Sequence, residues 1–176
     1  MKNMQKRMQT FGLVGGTLAL ALGVGHVARA GHTNTLLSAD LDGSAVVGSA
    51  AISDEIVGDI TGTGEAYVFG IDGDETTLCY TLEVAGIQLV PVGEGIAAHI
   101  HEGAMGENGP VVAALAGPED GNAADCLTEG EEGKFPTGEA GIVQRILDNP
   151  DDFYVQVHNP QYPDGAIRGQ LAGTHH

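Results

Sequence analysis

The chain has 176 residues, 42% of them hydrophobic, with 28 glycines and no tryptophan, and its 24 acidic and 7 basic side chains give a formal net charge of −17. That length and apolar content suit one domain with a real core and argue against a disordered acidic chain. The acid excess excludes nucleic acid and anionic lipid as partners, because both require Lys or Arg against phosphate.

The first thirty residues read as an export leader. Lys2, Lys6 and Arg7 give a positive start, an uncharged Leu- and Ala-rich run follows from Phe11 to Val24, and Ala28-Arg29-Ala30 supplies a small-x-small cleavage signal. The apolar run falls short of the ~20 residues a spanning helix needs. No cysteine stands near the cleavage point to carry a lipid, and no Arg-Arg pair marks the route for folded proteins. Residues 1–30 are therefore expected to be a signal peptide and residues 31–176 the mature β domain. That domain is placed outside the cytoplasm, periplasmic or secreted, with no stable membrane anchor after cleavage. Cleavage removes four basic residues and no acid, leaving Lys134, Arg145 and Arg168 against 24 acids, a formal charge of −21.

Downstream, short apolar clusters alternate with turn signals. Strands are expected over 35–41 and 44–52 around Asp42-Gly43. A hairpin is expected from 64–71 and 76–84 around Asp72-Gly73-Asp74-Glu75, with Leu78, Tyr80, Leu82 and Val84 on one face. Further strands are expected over 95–101 and 110–115, and an acidic Gly-rich surface loop over 117–134. The helical spacing of Ala140, Val143 and Leu147 predicts a helix over 139–147, capped by Thr137, with Glu139 and Arg145 suiting its two ends and Asn149-Pro150 stopping it. Strands over 153–158 and 166–172 close the chain. Short strands at this spacing with one short helix predict a mostly β fold, a Greek-key sandwich or barrel.

The chain has two cysteines, Cys79 and Cys126. In an oxidising compartment an isolated pair reads most simply as one disulfide, contributing about 3–4 kcal/mol through loop closure. The rival reading, two thiol metal ligands, lacks a histidine beside either one.

The histidines are the candidate chemistry. His99 and His101 lie two apart on one strand and so share a face, opposite Ile96, Ala98 and Ile100. In Phe153–His158 the alternation puts His158 with Tyr154 and Gln156, opposite Phe153, Val155 and Val157. If the two strands are neighbours, His99, His101 and His158 form one site of neutral imidazoles suited to copper, zinc, iron or nickel. The alternative is three unrelated surface histidines. Asp40-x-Asp42-Gly43 resembles the start of a calcium loop, but an EF-hand would need Glu where Ala51 stands, and a turn is the simpler reading. Met105, four residues after His101, is a possible soft ligand or an exposed turn residue. His32, His175 and His176 lie near the mature termini. No nucleophile–base set or other complete catalytic set is visible.

Leu78-Cys79-Tyr80-Thr81-Leu82-Glu83-Val84, Ala98-His99-Ile100-His101-Glu102-Gly103, Gly106-Glu107-Asn108-Gly109-Pro110-Val111-Val112, and the C-terminal run from Tyr154 to Leu171 resemble the CHRD (chordin-type) domain in its free-standing bacterial form. The resemblance covers nearly the whole mature chain and implies an extracytoplasmic β domain. It implies no established activity. A second, weaker resemblance is to the Greek-key barrel of Cu/Zn superoxide dismutase. It implies copper ligation by His99, His101 and His158, with Arg168 standing near the site. This sequence has no counterpart to that family's bridging histidine or zinc-binding cluster between His101 and His158. The readings to be weighed are a protein binding a transition metal (copper first, zinc as the alternative), a non-catalytic interaction or structural module, and a dismutase-like enzyme.

Overall fold

The computed structural model describes residues 36–48 and 57–174. Its strands are β1 (Leu36–Asp42), β2 (Thr63–Ile71), β3 (Asp74–Ala85), β4 (Ala97–Glu102), β5 (Val111–Leu115), β6 (Asn122–Thr128), β7 (Phe153–His158), β8 (Ile167–Gln170) and the short β9 (Ala172–Gly173); the one α-helix, α1, covers Ile142–Asp148. Eight strands run in the order β5-β4-β7-β8-β1-β2-β3-β6, every pair antiparallel, and β9 pairs with β1. The result is a nearly closed barrel with one short helix, the barrel form of the expected mostly β fold.

Alternation builds the core. Leu37, Ala39 and Leu41 on β1, Leu78, Tyr80 and Leu82 on β3, Ala98 and Ile100 on β4, and Val155 and Val157 on β7 all turn inward and are at most 2% exposed. The helix adds Ile142, Val143 and Ile146 to the same core. No helix among the described residues is long and apolar enough to cross a membrane.

Several elements depart from the expected ones. The strand expected over 44–52 is not formed where the chain is described: Gly43–Ala45 is a 3-10 turn and 46–48 are irregular, while 49–52 lie outside the described residues. The Asp42 carboxylate accepts from the Ser44 and Ala45 amides and the Ser44 hydroxyl, and these bonds favour a turn over a ladder. Asp42-Gly43 thus belongs to a turn, as the simpler reading of Asp40-x-Asp42-Gly43 has it.

The stretch 117–134, expected as a loop, contains β6, an edge strand paired with β3 whose side chains are mostly exposed. Cys126 stands directly opposite Cys79 across that pair, and the two form a disulfide with Cα atoms 4.0 Å apart.

The helix begins three residues later than expected because Gly141, at φ 81°, takes a left-handed conformation that breaks the turn before it. Its start is capped by Glu129, whose carboxylate accepts from the amides of Gly141 (2.8 Å) and Val143 (3.0 Å). Thr137 accepts only from Glu139, ahead of the helix. The last expected strand divides at Leu171 into β8 and β9, because the Leu171 amide turns to the Phe153 carbonyl.

Candidate metal centre

β4 and β7 are hydrogen-bonded neighbours, with Ala97 opposite His158, His99 opposite Gln156 and His101 opposite Tyr154. Directly opposed residues point to the same side of a sheet. The register therefore gathers His99, His101 and His158 on the face that looks away from the barrel core. Their ring centroids lie 5.6 Å (His99–His101), 5.2 Å (His99–His158) and 6.0 Å (His101–His158) apart.

That face is not a solvent face. Tyr154 and Gln156 are only 1% and 3% exposed, so β7 is buried on both sides. Three segments cover it. Residues 103–109 close over Tyr154, residues 160–165 over Gln156, and residues 46–48 tie the cover together, Asn108 donating to the Val47 carbonyl and Val46 packing near Gly165.

Two glycines make this close fit possible. A Cβ on Gly109 would stand 1.5 Å from the Glu102 carbonyl oxygen. One on Gly165, whose φ is 134°, would stand 1.8 Å from Gln156 Nε2.

The covering segments set the imidazole tautomers. His101 Nδ1 lies 2.9 Å from the Gly109 carbonyl and His158 Nδ1 lies 3.0 Å from the Pro163 carbonyl. A carbonyl only accepts, so each Nδ1 carries the proton and each Nε2 keeps its lone pair. Those two Nε2 atoms, together with His99 Nδ1, are buried and have no hydrogen-bond partner. One ring nitrogen from each histidine lies within 4.8 Å of those of the other two. Two nitrogens on one ion at about 2 Å stand at most about 4 Å apart, so the trio must draw in by roughly an ångström to share it.

The electrostatics keep the rings neutral. Burial first, then the charges His158 and His101 would carry, push the pKa of His99 down to about 4. Burial also lowers His101, against the bond to the Gly109 carbonyl and with help from His158 and Arg168. It lowers His158 too, against the Pro163 carbonyl and Asp164. Neutral imidazoles with free lone pairs are the form a metal binds.

Around them, Tyr154 stacks on His101 with centroids 4.9 Å apart and planes 9° from parallel. Arg168 stands in the row of Gln156 on β8, its guanidinium 3.4 Å from the centroid of the Tyr154 ring. It donates to the Ala104 carbonyl (3.1 Å) and the Asn108 side chain (3.3 Å). Tyr154 and Gln156 were legible only as partners of His158 on its face; their burial and the roles of Gly109 and Pro163 were not. Met105 is 81% exposed in the covering turn. Cys79 and Cys126 are joined, and there is no free cysteine among the described residues. The disulfide points to an oxidising, extracytoplasmic compartment.

Fold and site together define an antiparallel β-barrel with a covered cluster of three histidines that could hold a metal ion. The CHRD domain family matches residues 37–171, and the chain belongs to that family. No curated protein and no solved structure matches it.

Proposed function

We propose that this is an exported metal-binding protein that holds one transition-metal ion, copper first and zinc as the alternative, through His99, His101 and His158. The observation that carries the reading is the convergence of three buried, unpartnered ring nitrogens from two adjacent strands. An unpaired buried nitrogen costs stability, and three around one point are accounted for together by a bound cation. A surface with a formal charge of −21 after removal of residues 1–30 draws cations toward it. Export of residues 31–176 follows from the leader pattern and agrees with the disulfide. Sequencing the N-terminus of the exported protein tests it, with Gly31 as the expected first residue.

The test of binding is copper and zinc titration of a chain trimmed of His32, His175 and His176. One equivalent is expected to bind, and His99→Ala or His158→Ala is expected to abolish it. Undiminished stoichiometry in both variants would reject the reading.

A further inference from the structure

The three rings bring no negative charge to an ion, and their surroundings add positive charge. Among the described residues, no carboxylate or thiolate belongs to the cluster. The Nδ1 protons of His101 and His158 go to backbone carbonyls, which leave the rings neutral, whereas a carboxylate partner would give them anionic character. Arg168 is 2% exposed, and it lies against the Tyr154 ring and donates to a carbonyl and an amide oxygen. The ion pairs among the described residues go to Lys134 and Arg145 and leave Arg168 without a carboxylate.

His99, Gln156 and Arg168 form one lateral row across β4, β7 and β8, which places the Arg168 backbone about 10 Å from that of His99 at ~4.8 Å per strand. A cation shielded from water at this range is weakly screened. Among the described residues, the carboxylate whose charge acts on the trio is Asp164, which acts on His158 and is exposed. Arg168 cannot serve as an anion clamp on the ion, since both of its terminal nitrogens are held by the loop over 103–109.

We propose that the centre selects copper in its monovalent state over divalent ions, and that Arg168 sets this selectivity. The inference rests on the metal-binding reading above. A divalent ion on three neutral donors beside a buried guanidinium carries one more unit of uncompensated charge than Cu(I). Three nitrogens also leave Cu(II) short of the tetragonal donor set it prefers.

The test measures Cu(I) affinity by chelator competition under ascorbate and exclusion of air, and Cu(II) and Zn(II) affinity by competition with a divalent chelator. It compares the unmodified protein with Arg168→Met and Arg168→Lys. Arg168→Met is expected to raise divalent affinity relative to Cu(I) by at least about tenfold, the scale of one unit charge acting over several ångströms at an effective dielectric of ~20. Arg168→Lys, which keeps the charge, is expected to stay near the unmodified ratio. A ratio unchanged in Arg168→Met, with copper still bound, overturns the selectivity and leaves the metal site standing. Loss of all binding by the unmodified protein instead overturns the reading beneath it.

A second measurement needs no substitution. Protein loaded with Cu(I) under ascorbate and then freed of the reductant is expected to stay silent in electron paramagnetic resonance after equilibration in air. A full Cu(II) signal there overturns the proposal.

Discussion

Among single residues, His99 is held neutral first by its burial and then by its two histidine neighbours, with no carbonyl partner for its buried Nδ1. Its pKa of about 4 against an ordinary 6.5 means that the folded state binds fewer protons than the unfolded one between those values. The stability tied to neutral His99 is fully present above about pH 6.5 and is lost as the pH falls toward 4. His101 and His158 are shifted in the same direction and reinforce the trend. Urea unfolding of the metal-free protein at pH 7 and pH 4.5 is expected to show a drop in midpoint that His99→Ala reduces, the comparison cancelling the carboxylates that titrate nearby. Equal drops in both proteins would remove this role. Alternation along Phe153–His158 and the His-x-His pair made the shared face legible. The adjacency of β4 and β7, and the carbonyls of Gly109 and Pro163 that fix two tautomers, depend on long-range pairing and loop paths that no local pattern carries.

At the scale of elements, the edge strand β6 and the helix α1 hold through side chains that reach across from elsewhere. β6 exposes most of its side chains, and the Cys79–Cys126 bridge fastens it to β3. The double variant Cys79→Ser/Cys126→Ser is expected to lose about 3–4 kcal/mol, read from chemical denaturation. Amide exchange in β6 is expected to rise before that in β7. The helix depends on Glu129, whose carboxylate receives two of its free N–H groups. Glu129→Ala is expected to cost about 0.5–2 kcal/mol, and a loss within error of zero would contradict the capping role. Neither element is specified by its local sequence alone. Asn122–Thr128 has no apolar alternation because neither of its faces is covered along most of its length, so its small and polar residues read as loop. The start of α1 is set by Gly141 and by a carboxylate twelve residues upstream, beyond the reach of any local cap pattern. Phe153–His158, buried on its aliphatic face and flanked by turn residues, carried its own boundaries.

For the whole molecule, the barrel separates two jobs. The inward face of β4 and β7 supplies rigidity through Ile100, Val155 and Val157, while the outward face carries the imidazoles under a cover of loops. Ile100→Ala is therefore expected to lower global stability by about 2–5 kcal/mol while the folded protein still binds one equivalent of copper. Placing the three histidines on paired strands restrains the backbone beneath them, and their rings need draw in only by roughly an ångström to share an ion. The central claim, that these three side chains hold the ion, is met most directly by X-ray absorption spectroscopy on the copper-loaded chain lacking His32, His175 and His176. Three imidazole nitrogens at about 2 Å are expected, with the signal lost in the His99→Ala/His158→Ala variant; an oxygen-dominated shell that persists unchanged in that variant would contradict binding by these histidines.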